Sequence, residues 1–88
     1  MGIFKKNQTL AEYAEGQRYR IRITTEDGQE VFWHKRGRVH LIEEDVARAF
    51  VENFKPQVFE VRPDGSLTPP VPGETKRIVK LTMEPVSP

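Results

Sequence analysis

The fold of this chain is decided by residues 18–33, which read RYRIRITTEDGQEVFW. Apolar and basic side chains alternate with a period of two through residues 18–24, which predicts a β-strand with one buried and one solvated face. Glu26-Asp27-Gly28 then supplies a turn, and a second apolar run begins at Val31. The stretch therefore predicts an antiparallel hairpin.

Two registers of this hairpin are open. A two-residue Asp27-Gly28 turn would place Ile23 opposite Phe32. A three-residue loop, with Gly28 in the left-handed region, would place Ile23 opposite Val31. A shift of one residue moves every side chain of one strand to the other face, so burial decides between them. We prefer the three-residue loop because it gathers these apolar side chains on one face: Tyr19, Ile21, Ile23, Val31 and Trp33.

Residues 38–54 predict a third strand and the main helix. Gly37 allows a tight reversal into a strand over residues 38–42, whose Leu41 would continue the apolar face. The helix is predicted over residues 43–54, because the residue before Pro56 is pushed out of helical geometry. Its apolar stripe should cover the sheet and consists of Val46, Ala47, Phe50, Val51 and Phe54.

The two ends of the chain carry weaker signals. Thr9 followed by Glu12 is typical of a helix capping box and predicts a short N-terminal helical turn. A short strand over residues 58–61 should end in the turn Pro63-Asp64-Gly65. Beyond it we predict a proline-rich extended loop (residues 66–75), a last strand (residues 76–83, with Val79, Leu81 and Met83 on one face) and a flexible tail (residues 84–88).

Together these elements predict a single α+β domain over residues 1–88. We expect an antiparallel sheet of four or five strands, with one main helix packed on one face. Because each periodicity points to one side, we expect one core formed by Ile21, Ile23, Trp33, Leu41, Phe50 and Phe54.

Composition excludes several classes of function. The chain has no cysteine, so disulfides and thiolate chemistry are absent. No apolar run approaches the ~18 residues of a membrane span, and we expect a cytoplasmic protein. No catalytic triad, Gly-rich phosphate loop or metalloprotease helix occurs, so we expect neither an enzyme nor a cofactor. His34 and His40 could share a metal across the turn at Gly37, but zinc would need two more ligands and we predict no metal site.

The hairpin carries a local excess of positive charge. The whole chain has 14 Lys/Arg and 13 Asp/Glu, a net charge of +1, so any case for nucleic acid must be local. Arginines next to an aromatic ring could contact a phosphate backbone and stacked bases. The alternative function is therefore nucleic-acid binding through residues 17–40, with candidate contacts at Arg18, Arg20, Arg22, Phe32, His34, Lys35, Arg36 and Arg38.

The order of three strands and one helix across residues 17–54, with the basic alternation of residues 18–22 and the Asp27-Gly28 turn, resembles the arm-type DNA-binding module of phage integrases. The resemblance implies DNA binding by the hairpin. It covers under half of the chain, and the strands after Pro56 have no counterpart in that family. We therefore assign no family from it.

The preferred function is a small interaction module. Residues 58–61 and 78–81 carry apolar side chains on both sides of a strand, whereas one helix can cover only one face of a sheet. Phe59 and Ile78 would then need a neighbour, either inside the chain or on a partner. We expect a protein partner or a second copy, bound through a strand edge or an open sheet face.

Overall fold

The computed structural model describes residues 16–86 of the chain. The predicted N-terminal helical turn and the last two residues of the predicted tail lie outside this range. The described elements are, in chain order, β1 (Arg18–Thr25), β2 (Glu30–Phe32), β3 (His34–Lys35), β4 (Arg38–Val39), α1 (Glu44–Asn53), β5 (Glu60–Val61), β6 (Leu67–Thr68) and β7 (Ile78–Val86).

The strands form three antiparallel sheets around one helix. The largest sheet has the order β2-β1-β7, and two-stranded sheets join β3 to β4 and β5 to β6. The α+β class is confirmed, but the prediction of one sheet with four or five strands is wrong. The second predicted strand is interrupted at Trp33, which separates β2 from β3, and β4 pairs with β3 rather than with β2. The element order that resembles the integrase module therefore does not correspond to one three-stranded sheet.

The preferred register of the first hairpin is confirmed. Ile23 pairs with Val31, and the Trp33 amide donates to the Ile21 carbonyl at 2.9 Å. The loop has three residues and Gly28 has φ +86°, a conformation that glycine adopts without steric cost. The expectation that the apolar side chains share one buried face therefore selected the correct register.

The core lies between the β1 side of the sheet and α1. Ile21 and Ile23 are completely buried, and Ala47, Val61 and Ile78 complete the buried cluster of the described residues. Half-buried aromatic side chains pack around it, namely Tyr19, Trp33, Phe50 and Phe54.

Leu41 does not belong to this core. Its side chain is 46% exposed, contrary to prediction, whereas Ile42 packs against the core. The reason is a short antiparallel bridge: the Tyr19 amide donates to the Ile42 carbonyl at 2.8 Å, and the Ile42 amide donates back at 2.9 Å. The bridge fixes Ile42 inward, and its neighbour in an extended chain then points outward.

The last strand is longer than the sequence pattern indicates. Residues Glu84–Val86 were predicted to belong to a flexible tail but continue β7, where they pair with Arg18–Arg20. The strand contains a β-bulge, because Ile78 pairs with Thr25 and Lys80 pairs with Thr24, and Val79 between them has no partner. Val79 is therefore exposed and does not share the face of Leu81 and Met83, contrary to the prediction.

The proline-rich segment also begins with a strand. Leu67–Thr68 pair with Glu60–Val61 across the predicted turn at residues 63–65, and Lys76 bridges to the other side of Val61. Residues 66–75 are therefore extended loop only in part. In the described range no helix has the length and apolar character needed to cross a membrane.

The core assignment predicts a contrast between two aliphatic side chains. Ile21→Ala should destabilise the fold by roughly 2–5 kcal/mol, because it removes a completely buried side chain. Leu41→Ala should change the free energy of unfolding by less than about 0.5 kcal/mol, as exposed substitutions usually do. Urea unfolding of both variants measures the difference, and equal losses would contradict the described core.

Asp27 predicts how stability depends on pH. Its carboxylate accepts hydrogen bonds from Lys76, at 2.6 Å, and from the Thr25 hydroxyl, which lower its pKa from 3.8 to about 2. A carboxyl whose pKa is lower in the folded chain stabilises the fold above its unfolded pKa, and this is lost as pH falls through the folded value. Unfolding measured from pH ~5 downwards should therefore show a loss of stability between about pH 4 and 2 that is smaller in Asp27→Asn. An identical pH profile in the variant would contradict it.

Candidate functional site

The basic face of the first hairpin is a network of paired charges. Glu84 on β7 contacts both Arg20, at 3.2 Å, and Arg22, while Arg22 also reaches Glu30 at 2.9 Å. Both guanidinium groups lie over the Phe32 ring, at 4.0 and 4.8 Å from its centroid. These hydrogen bonds, first that from Arg22, lower the pKa of Glu84 despite some desolvation.

This network reduces the positive charge that the sheet face can offer a phosphate. The structure brings together Arg20, Arg22 and Phe32 as predicted, but it adds two carboxylates, and the ring face that could stack on a base is covered by guanidinium groups. Arg18 makes no ion pair within residues 16–86. The remaining predicted contacts, His34, Lys35, Arg36 and Arg38, lie on a separate hairpin, β3–β4.

Of the two residues predicted for association, only Phe59 lies at the surface. Ile78 is 2% exposed and belongs to the buried core, because the bulge in β7 turns it inward. It cannot itself be a contact surface while the chain is folded. Phe59 is 39% exposed and lines a groove.

The strand edges are poorly suited to pairing with another chain. Val61 of β5 is bonded on both sides, to β6 and to Lys76. The outer edge of β7 has no partner strand among the described residues. That edge contains Lys80 and Pro85, a charge and a missing donor that discourage edge-to-edge association.

The described chain contains an open groove of about 600 Å³. It lies between the β3–β4 hairpin, the end of α1 and the β5–β6 hairpin. We call it the aromatic groove, and its lining consists of Trp33, His34, Lys35, Arg36, Phe50, Asn53, Phe54, Lys55, Val58, Phe59, Ser66 and Leu67.

The floor of the aromatic groove is a stack of aromatic rings. Trp33 lies parallel to Phe50 with centroids 4.4 Å apart, and Phe50 contacts Phe54 at 5.6 Å. The edge of His40 meets Trp33 from another side at 4.7 Å. Aromatic contacts of this kind contribute beyond area burial and give the groove a stable apolar base.

The Lys and Arg residues at the rim of the aromatic groove give it one sign of charge. Lys35, Arg36 and Lys55 line the groove, and its lining contains no Asp or Glu. Lys35 and Arg36 also line a smaller depression next to the groove, together with Arg38. None of these four side chains makes an ion pair with a carboxylate of residues 16–86. Their charges are therefore available to an acidic partner.

The β3–β4 turn holds one of these cations, Arg36, in a strained backbone conformation. Arg36 has φ +55° and Gly37 has φ +78°, the positive pair that a two-residue hairpin turn requires. Glycine adopts this conformation freely, whereas arginine does so rarely. The conformation of Arg36 therefore carries a backbone cost at the hairpin tip.

The two histidines make separate contacts within the fold. His34 pairs with Val39 across the hairpin, and its Nδ1 lies 2.7 Å from the Phe32 carbonyl oxygen. His40 packs against Trp33, and its pKa is lowered by partial burial and by the charge of Lys35. Within the described range no three or more His, Asp or Glu side chains cluster in a way that could hold a metal ion.

Gly65 holds the β5–β6 side of the groove against β3. Its carbonyl accepts the His34 amide at 2.9 Å, and its φ is +90°. A Cβ at this position would collide with the Phe32 carbonyl oxygen and the His34 ring. Glycine is therefore required here both by backbone conformation and by the close approach of two hairpins.

The groove could be predicted from the sequence only in pieces. Phe59 and the cations of residues 35–38 were singled out, but in two different hypotheses. The contribution of Phe54 and Leu67 depends on contacts between hairpins far apart in the sequence, and no periodicity reports such contacts. The run Lys35-Arg36-Gly37-Arg38 is the local signal that could have indicated a basic hairpin tip.

No protein-family model, curated protein or solved structure matches this chain. The functional argument therefore rests on the geometry of the site.

Gly65 and Gly73 provide a matched pair for testing how the groove wall is held. Both have positive φ, but a Cβ at Gly73 would meet nothing within 4 Å. Gly73→Ala should cost roughly 1–3 kcal/mol from backbone strain. Gly65→Ala should cost more, because the clash adds to the strain, and it should shift the NMR signals of His34 and Trp33. Equal losses in thermal unfolding would show that the two hairpins do not approach as closely as described.

Proposed function

We propose that this chain is a small non-enzymatic binding module and that the aromatic groove is its binding surface. The observation that carries the proposal is the combination of an apolar floor with a rim of one sign of charge. Concave, mostly apolar surfaces with a few polar groups are where proteins bind ligands. The hydroxyl that lines the groove, Ser66, donates to the Asp64 carboxylate within its own turn at 2.7 Å, so we take it as a structural contact and assign binding to the site.

The partner we propose is a segment of polypeptide with apolar and acidic side chains. Val58 and Phe59 are exposed beside the groove and would be buried by apolar side chains of such a segment. Carboxylates on the partner would meet the rim cations Lys35, Arg36 and Lys55. Apolar contact supplies the affinity, and the charges favour acidic over basic segments.

Nucleic-acid binding is the second candidate, and we place it on the β3–β4 hairpin. Lys35, Arg36 and Arg38 make no ion pairs in the described chain, unlike Arg20 and Arg22 of the sheet face. Two features favour polypeptide. Phe50 occupies one face of Trp33, which limits stacking on a base, and a sugar-phosphate chain is too polar to fill an apolar groove well.

The test compares binding of synthetic peptides that differ in acidity and apolar content, measured by fluorescence anisotropy. Wild-type protein should prefer peptides that carry both acidic and apolar residues. Phe59→Ser should weaken binding about tenfold, since burying a large apolar side chain contributes roughly 1.5–3 kcal/mol and 1.4 kcal/mol is a factor of ten. Val79→Ser is the control, because Val79 is also an exposed apolar residue, 59% exposed against 39% for Phe59, but lies outside the groove.

A generic DNA duplex and single strand, titrated at two salt concentrations, test the second candidate. Binding to either that falls steeply with salt and is lost in Arg36→Ala and Arg38→Ala, with no peptide selected, would overturn the polypeptide proposal.

A further inference from the structure

Four of the five large hydrophobic side chains that are exposed in the described chain fall into two patches with opposite charge, and Val79 lies outside both. The large hydrophobic residues that are clearly exposed are Leu41, Val46, Val58, Phe59 and Val79. Val58 and Phe59 belong to the aromatic groove with its cationic rim. Leu41 and Val46 flank three consecutive acids, and we call this segment, residues 41–46, the acidic patch.

The fold presents the acidic patch outward. Ile42 is held inward by its bridge to Tyr19, so Leu41 and Glu43 on either side of it face away from the core. Glu43 is the N-cap of α1, and Ile42 and Ala47 occupy the positions of a hydrophobic staple, both packed in the core. The entry into the helix is thereby fixed, and its apolar and acidic groups are displayed together.

The charges of the acidic patch match those of the groove rim. Within the described range, Glu44 pairs with Arg48 at 2.7 Å, while Glu43 and Asp45 make no ion pair. The rim cations Lys35, Arg36 and Lys55 make no ion pair with a carboxylate of residues 16–86. Leu41, 46% exposed, and Val46, 51% exposed, would supply apolar side chains that occupy the groove.

One copy of the chain cannot bring these two surfaces together. The acidic patch lies at the start of α1 and the groove at its end, and a helix of 10 residues separates them by roughly 15 Å. A second copy can place its patch in the groove of the first without any change of fold.

We propose that the aromatic groove binds the acidic patch, residues 41–46, of a second copy of the chain. The inference rests on the proposed function and names the source of the acidic, apolar segment. The contact is head-to-tail: each added copy leaves one groove and one patch free, so association continues into short chains or closes into a ring. The surface involved is small, so the association is weak and depends on concentration.

Sedimentation from micromolar to millimolar concentration tests this inference. The average mass of the wild-type protein should rise with concentration. Phe59→Ser, which alters the groove, and the double variant Leu41→Ser with Val46→Ser, which alters the patch, should each remain monomeric. Val79→Ser should associate like the wild type, and circular dichroism checks that every variant is folded.

The decisive experiment mixes the two deficient variants. One intact groove and one intact patch remain in the mixture, so a head-to-tail contact predicts a one-to-one dimer that does not grow further. Arg36→Glu and Glu43→Lys, which alter only surface charge, should each weaken self-association about tenfold or more. Mixing them should restore association, because the groove of each variant then meets a patch of opposite charge on the other.

Three results would overturn the inference: a wild-type mass that stays constant to millimolar concentration, association that survives in both deficient variants, or a mixture that stays monomeric. These outcomes are separate from those of the proposed function. Selective binding of acidic peptides by a monomeric wild type would preserve the proposed function and remove the second copy as the partner.

Discussion

The pairing of β1 with β2 across the three-residue loop Glu26–Gly28 is the constraint on which the rest of the structure depends. It determines that Ile21 and Ile23 face α1 and are completely buried. It also determines that Trp33 follows on the same face, where it stacks on Phe50. Had the loop contained two residues, Trp33 would lie on the opposite face and the aromatic groove would lose its floor.

The same pairing divides the basic residues into two groups. Arg20 and Arg22 lie on the outer face of β1, where β7 brings Glu84 between them. Lys35 and Arg36 lie beyond the sheet on a tight turn that no described carboxylate reaches. A net charge of +1 therefore conceals a neutralised sheet face and an unpaired cationic hairpin. Exposed ion pairs contribute little to stability, but the difference between paired cations on the sheet face and cations without a described partner on the hairpin decides which of them another molecule can contact.

The sequence predicted the features that depend on near neighbours. The alternation of residues 18–24 identified β1, apolar spacing identified α1, and burial selected the hairpin register. The features that it missed depend on distant residues. Glu84 looked like part of a tail because its partners, Arg20 and Arg22, come more than 60 residues earlier. Leu41 and Ile42 are both aliphatic, so only the bridge to Tyr19 decides which one faces inward. The groove lies between two hairpins and the end of one helix, and the sequence of none of these three segments is distinctive alone.

In this small chain the same aromatic side chains support the fold and shape the groove. Trp33, Phe50 and Phe54 pack against the buried cluster while also lining the groove, so a substitution at any of them would change stability and binding together. Val58 and Phe59 differ because they are exposed and absent from the core. Their apolar surface contributes little to folding, since it stays in contact with water. Apolar surface of that kind, next to cations without carboxylate partners in the described chain, is what a partner would cover. Substitutions at the exposed residues of the groove wall and rim should therefore change binding with little effect on stability, whereas substitutions at the aromatic residues of the floor should change both.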